Sequence, residues 1–310
     1  ACPHRQKNTK TSFSVNGEPV CVRTRTGRRT TVNDYITLYA PAKINLFLKV
    51  TGERPDGYHS LFTLFQKVTL FDHIIIRKAE KGIKLSCPQG TVPEDETNIA
   101  YQAASLFYKV TGLSPGVDIE IRKNIPVAAG LGGGSSDAAC VLNGLQEVYG
   151  NPCARDNLSS IGSKLGADVP FFLEPYTMAI GRGIGDQLEP FFSPPPLWFV
   201  LISPCFPVST KWAYENLKLT TGENLFIFSP EHVINIKQFL HNDLEEVTAS
   251  QYPVIHTMKK YLLSYGAEGA LMTGSGPTVF GLFKEKEKAR LAHERLGSNT
   301  DWAVHLVRSL

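Results

Sequence analysis

Gly130-Leu131-Gly132-Gly133-Gly134-Ser135-Ser136-Asp137-Ala138-Ala139 is the stretch around which the other signals arrange themselves. It follows residues 117–122, where Val117, Ile119 and Ile121 alternate with polar neighbours as in a half-buried strand. It precedes residues 138–149, where Ala138, Val141, Leu142, Leu145 and Val148 recur at helical spacing before a stop at Gly150. Four glycines in five positions let the backbone approach a ligand with its N–H groups outward. The Ser-Ser-Asp run is placed to cap the helix, whose positive dipole end faces the same spot. These features predict a polyphosphate cradle. The alternative is a flexible Gly/Ser linker, but linkers are rarely framed by a patterned strand and an amphipathic helix. Neither common cradle fits: no Gly-Lys-Ser/Thr ending follows the glycines, and Ser135 stands where a dinucleotide fingerprint needs its third glycine.

With 310 residues, 42% hydrophobic and 20% charged, the chain has the composition of an ordinary globular protein with room for two cores. Its longest apolar runs, such as residues 197–202, are strand-length, so no transmembrane helix is predicted. The net charge of +3 is unevenly spread: residues 1–34 hold seven Lys/Arg against Glu18 and Asp34. The remainder holds 25 basic and 27 acidic residues, a net of −2, which argues against a nucleic-acid-binding body. Residues 1–34 are also rich in Thr and Ser, the composition of an organelle transit peptide or of a disordered basic tail. The six cysteines are widely spaced, without a Cys-x-x-Cys pair or a His pattern. They are read as reduced thiols, with neither a zinc site nor a disulfide framework.

From about Tyr35 the folded part begins. Along residues 43–50, Ile44, Leu46, Leu48 and Val50 share one strand face, and Lys43, Asn45, Phe47 and Lys49 the other. A cation and an amide side by side just after Pro41 suit a substrate hydroxyl or phosphate; a solvated strand face is the alternative. Arg54-Pro55-Asp56-Gly57-Tyr58-His59 is a turn, and residues 61–72 and 73–78 are expected as two more strands. Tyr58 and His59 suit the face and edge of a nucleobase, or are surface packing. Residues 98–109 are expected to be helical with Ala100, Ala103, Ala104 and Phe107 inward, and Asp156 is placed to cap a further helix. In Gly166-Ala167-Asp168-Val169-Pro170, one carboxylate stands before a strongly apolar run; capping, a salt bridge or catalysis would explain it. Ser193-Pro194-Pro195-Pro196 marks the domain boundary. Beyond it come a strand at 197–203, helices from Ser209, from Ser229-Pro230 to about Leu240 and over 253–265, then strand, turn, strand, helix, strand over 269–307.

Pro41-Ala42-Lys43-Ile44-Asn45, the glycine stretch and Gly274-Ser275-Gly276 together resemble the three motifs of the GHMP kinases. Arg54-Pro55-Asp56-Gly57-Tyr58-His59, the Gly-Gly-Gly-Ser-Ser-Asp-Ala-Ala loop and Gly166-Ala167-Asp168-Val169-Pro170 resemble the branch acting on a cytidine diphosphate-linked methylerythritol in the non-mevalonate route to isoprenoid precursors. The resemblance covers about residues 38–307. It implies an α+β two-domain fold: an N-terminal α/β phosphate-loop domain over residues 35–195, and a C-terminal ferredoxin-like α+β domain over 196–310. The active site would lie in the cleft between them, and residues 1–34 form a basic arm. ATP would lie along the loop, with Gly130, Gly132, Gly133, Gly134, Ser135 and Ser136 near its phosphates and Mg²⁺ bridging them.

The resemblance makes Asp168 the base for the acceptor's 2-hydroxyl, with Lys43 beside it to stabilise the transferred phosphoryl group. Asn45 would orient the acceptor, and Thr273, Gly274, Ser275 and Gly276 would close the site from the C-terminal domain. Tyr58 and Tyr214 would sandwich a cytosine whose edge His59 reads. Asp137 is a helix-start residue first and a metal-side residue second. The expected partner is the small-molecule substrate, with no nucleic acid or membrane, on a monomer or weak homodimer in the chloroplast stroma. Two alternatives stand beside this: another GHMP small-molecule kinase, and a nucleotide-binding regulatory protein without catalysis. Tyr58-His59 and the triple glycine argue against the first, and intact Lys43 and Asp168 against the second.

Overall fold

The computed structural model describes residues 35–192, 195–218 and 235–310. The basic arm, Ser193-Pro194 of the boundary and the expected helix start at Ser229-Pro230 lie outside these residues. Among the described residues no helix is long and apolar enough to cross a membrane.

Two long strands form the frame. β1 (Tyr35–Glu53) pairs antiparallel with β2 (His59–Lys78) across the Arg54-to-Tyr58 turn. That turn is closed by Asp56 Oδ1, which accepts the Tyr58 N–H at 3.1 Å, and by Gly57 at φ +80°. The two strands expected at 61–72 and 73–78 are one: β1 offers a partner along its whole length, from Tyr35 opposite Arg77 to Glu53 opposite His59. The alternation expected for 43–50 is interrupted between Asn45 and Phe47 by a register shift. Phe47 thereby joins Ile44 and Leu46 in one core, while Lys43 and Asn45 keep a common side.

β3 (Gly82–Ser86) and β4 (Gly116–Arg122) extend the sheet beside β2, and β5 (Met178–Arg182) with β6 (Gln187–Pro190) attach further along it. Helices α1 (Ile99–Thr111), α2 (Gly133–Val148), α3 (Arg155–Leu165) and α4 (Val169–Leu173) pack on this sheet around Leu38, Ile74, Phe107 and Leu142. α1 is built as its sequence predicts: Asn98 Oδ1 caps the Ala100 N–H at 2.9 Å, Ala100, Ala103, Ala104 and Phe107 are buried, and Gly112 ends it at φ +70°. α3 is capped by Ala154 rather than by Asp156, which lies in its first turn. There the carboxylate still meets the positive helix end.

The second layer holds β7 (Trp198–Pro204), α5 (Thr210–Glu215), β8 (His241–Asn242), α6 (Asp243–Gln251), α7 (Val254–Ser264), β9 (Gly269–Met272), β10 (Val279–Phe283), α8 (Lys286–Leu296) and β11 (Trp302–Arg308). Its sheet runs β11-β7-β10-β9, all antiparallel, with the last strand beside the first, which is the ferredoxin-like order. β8 leaves this layer and pairs parallel with β1 at Phe47 and Leu48.

The two layers share a core in which Ala42, Ile44 and Leu46 of β1 meet Phe199, Leu201 and Phe280. β1 is therefore buried on both faces, which explains its nearly unbroken apolar sequence. Cys87, Cys140 and Cys153 are buried thiols, as expected.

Candidate active site

A cavity of about 1040 Å³ lies between the layers, and the glycine stretch forms one wall. The helix after the glycines starts earlier than its apolar spacing predicts: Gly132, at φ +69°, is its cap, and Gly133, Gly134, Ser135, Ser136 and Asp137 are inside its first turns. The Ser-Ser-Asp run therefore does not cap, because the glycines already supply the turn.

Gly130 and Gly132 are required sterically. A Cβ on Gly130 would lie 2.2 Å from the Thr273 carbonyl oxygen, and one on Gly132 would lie 3.0 Å from both Lys43 Cγ and the Phe172 ring. Gly130, Gly132, Gly133, Gly134 and Ser135 line the cavity. Ser136 lies beneath them, 1% exposed, its hydroxyl oxygen without a partner.

β1 delivers Lys43 and Asn45 to the floor. The Lys43 backbone N–H donates to Leu131 O at 3.0 Å, tying strand to loop. Its Nζ donates to Asn45 Oδ1 at 2.8 Å and lies 3.2 Å from Asp168 Oδ2. Asp168 occupies the cap position of α4 without a side-chain cap bond, so its carboxylate is left to Lys43 and the cavity. Of the three explanations its sequence left open, capping is excluded. Asn45 is held from two further sides: its N–H donates to Thr273 Oγ1 at 2.9 Å, and its Nδ2 to Thr63 Oγ1 at 2.8 Å.

The third glycine turn stands differently from expectation. Gly274 and Ser275 line the cavity, but Thr273 is fully buried and neither it nor Gly276 belongs to the wall. Thr273 supports Asn45. Gly276 sits under the turn, where its N–H donates to Thr273 O at 3.0 Å.

At the other end of the cavity are Tyr58, His59 and Tyr214. α5 carries Tyr214, capped by Ser209 and joined to the turn through a 2.9 Å hydrogen bond between Thr210 and Ser275. His59, rather than Tyr58, stacks on Tyr214, with ring centres 5.2 Å apart and planes at 29°. Tyr58 is 60% exposed at the rim. Burial, with the Asp168 charge adding to it, holds the Tyr214 phenol above its ordinary value.

Sequence reasoning missed a buried ion cluster behind the loop. Lys123 Nζ donates to Asp137 Oδ2 at 2.8 Å and also to Asp72, whose Oδ1 accepts the N–H groups of Asn124 and Ile125 at 2.6 and 2.8 Å. Burial, foremost, raises the Asp137 carboxyl well above its usual range, with Asp72 adding to it and Lys123 opposing. For Lys123 burial works against the charge, but the two carboxylates outweigh it and raise the ammonium above its ordinary value. Asp137 is thus neither a cap nor solvated, and its Oδ1 has no partner. The available signals were a lone carboxylate in the apolar run at Leu70-Phe71-Asp72 and a lysine at the end of β4.

Comparison with known proteins agrees with this geometry. Residues 98–174 match the GHMP kinases N terminal domain, and residues 231–300 the GHMP kinases C terminal domain. The chain is 47% identical over 279 residues to a 4-diphosphocytidyl-2-C-methyl-D-erythritol kinase of Geobacter metallireducens, covering 89% of this chain and 99% of that one. It is 48% identical over 272 residues to that of Syntrophotalea carbinolica, covering 86% and 96%. A crystal structure of 4-(cytidine 5'-diphospho)-2C-methyl-D-erythritol kinase superposes with a TM-score of 0.74 at 35% identity, over 87% of this chain and 98% of that one. A homoserine kinase from Cytophaga hutchinsonii, at 18% identity and a TM-score of 0.67 over 92% and 97%, shares the fold. A chain of this identity and coverage, with a glycine loop, a Lys–Asp pair and stacked rings in one cleft, belongs to the 4-diphosphocytidyl-2-C-methyl-D-erythritol kinase family of the GHMP kinases.

Proposed function

We propose that the protein transfers the γ-phosphoryl group of ATP to the 2-hydroxyl of 4-(cytidine 5'-diphospho)-2-C-methyl-D-erythritol, a step of the non-mevalonate route to isoprenoid precursors. The observation that carries this reading is the 3.2 Å Lys43–Asp168 pair set against the glycine loop inside one cavity. Phosphoryl transfer asks for positioning and charge stabilisation more than for covalent help.

Asp168 takes the proton of the acceptor hydroxyl, and Lys43 stabilises charge on the group in flight. Asn45, held by Thr273 and Thr63, keeps Lys43 Nζ in place. The backbone of the glycine loop, at the start of α2, receives the phosphates. His59 and Tyr214 receive the cytosine, with Tyr58 closing from the rim.

Mg²⁺ belongs to this proposal. Ser136 Oγ, buried without a partner beside the loop, is a hard oxygen donor of the kind it takes. Bound there, it would neutralise phosphate charge.

Turnover of ATP with the cytidine substrate, set against mevalonate and homoserine, tests the assignment; activity on either of the latter alone would overturn it. A plastid location is proposed on the basic, Ser/Thr-rich residues 1–34, and import of the full chain into isolated chloroplasts tests that.

A further inference from the structure

Lys67 is fully buried and takes no part in the chemistry above. It stands directly across the β1–β2 ladder from Lys43. An ammonium is strongly disfavoured in such a place unless it is satisfied there. Its Nζ donates to the carbonyl oxygen of Glu174 at 2.7 Å and lies 4.8 Å from the centre of the Phe171 ring. Its backbone N–H donates to Thr177 O at 2.8 Å.

Glu174 is the C-terminal cap of α4, and Asp168 is the N-terminal one. With five residues, α4 is too short to hold its own direction, so the direction of Asp168 is set by what grips the helix. Three grips are visible. Lys67 holds the C-terminal carbonyl. Phe171 stacks on Phe65 with ring centres 5.0 Å apart, and Phe65 in turn lies 5.3 Å from Lys43 Nζ. Phe172 reaches the glycine loop, where it and Lys43 Cγ leave no room for a side chain on Gly132. An apolar side chain at position 67 would fill the same volume but would neither engage the carbonyl nor favour the ring faces.

We propose that Lys67 is a positioning residue for phosphoryl transfer: it clamps the far end of α4 so that Asp168 faces Lys43 and Phe172 bears on the phosphate loop. This rests on the reading of Asp168 as the base.

The test is Lys67→Met in the full chain, which keeps most of the length of the unbranched side chain and removes its charge and donor. Three quantities are measured: the urea midpoint, kcat and KM for ATP and the cytidine substrate, and amide hydrogen exchange over residues 168–177. Small misplacements of reacting groups are strongly felt, so kcat should fall about tenfold or more. Both KM values should stay within about twofold. Exchange at the Val169 and Glu174 amides, bonded to Gly166 O and Pro170 O, should quicken while that of α2 does not. A merely structural lysine would lower the urea midpoint on replacement and leave kcat per folded molecule unchanged.

An unchanged kcat in folded Lys67→Met, or unchanged exchange over 168–177, overturns the proposal. If Lys67→Met does not fold, Lys67→Gln, which retains a neutral donor, is judged by the same measures. The exchange readout needs no substrate. A wild-type protein inactive on the cytidine substrate would sink the proposed function while leaving the clamp to be decided.

Discussion

Lys43 Nζ lies 3.2 Å from Asp168 Oδ2, although 125 residues of sequence separate them. One is delivered by a strand buried on both faces and the other by the half-buried N-terminal end of a short helix, and both open into the same cavity.

Asp168→Asn keeps the shape of the side chain and removes its capacity to take a proton. Turnover should fall by about 10²–10⁴-fold, the usual share of general-base catalysis. ATP binding, measured by calorimetry, should be nearly unchanged. A fully active variant would remove Asp168 from the role.

Tyr214→Leu removes the ring on which His59 stacks at 5.2 Å. Base–aromatic stacking contributes about 1–3 kcal/mol, so KM for the cytidine substrate should rise roughly 5- to 150-fold. Initial rates at varied ATP should show its KM unaltered; an equal rise in both would show general damage instead.

Thr273→Val separates support from substrate contact. The valine leaves the buried Asn45 N–H without its 2.9 Å acceptor, which should destabilise the fold by about 1–3 kcal/mol in urea titration. KM for both substrates should hold, since Thr273 is absent from the cavity wall. A KM effect without loss of stability would restore it as a binding residue.

Asp137 predicts a pH dependence. Its carboxyl is raised chiefly by burial, then by Asp72, so the native chain keeps a proton that the unfolded chain loses above about pH 4. Stability therefore declines as pH rises from there through the native value. Lys123 acts at the alkaline end: its raised value stabilises fully below about pH 10 and is lost above its native value. Asp137→Asn should abolish the acid-side decline, so its urea midpoint should gain on the wild type as pH rises from about 4 through the native value of Asp137. A constant gap across that range would count against this.

Much of the cleft was legible in the chain. The glycine run announced a phosphate site because only a backbone without side chains fits against Thr273 and Lys43. Alternation placed Lys43 and Asn45 on one side, since the strand period is two regardless of what the strand faces. α1 followed its apolar spacing and its Asn98 cap.

The failures have a common cause. Asp72, Lys123 and Asp137 lie 51 and 14 residues apart, and nothing local says that three charges share one buried site. The register shift after Asn45, which turns Phe47 into the shared core, depends on the partner strand. Thr273 and Gly276 sit within a ligand-like motif yet support the turn from beneath.

The sequence by itself determined what short-range physics controls: periodicity, caps, the open backbone of Gly130 to Gly134, and the family of motifs it carries. Only the tertiary structure decided which charges meet, that Asp168 is left uncapped beside Lys43, and that Lys67 grips the other end of its helix. Ion pairs and clamps of that kind depend on distances across the fold, and those arise when the two layers close on β1.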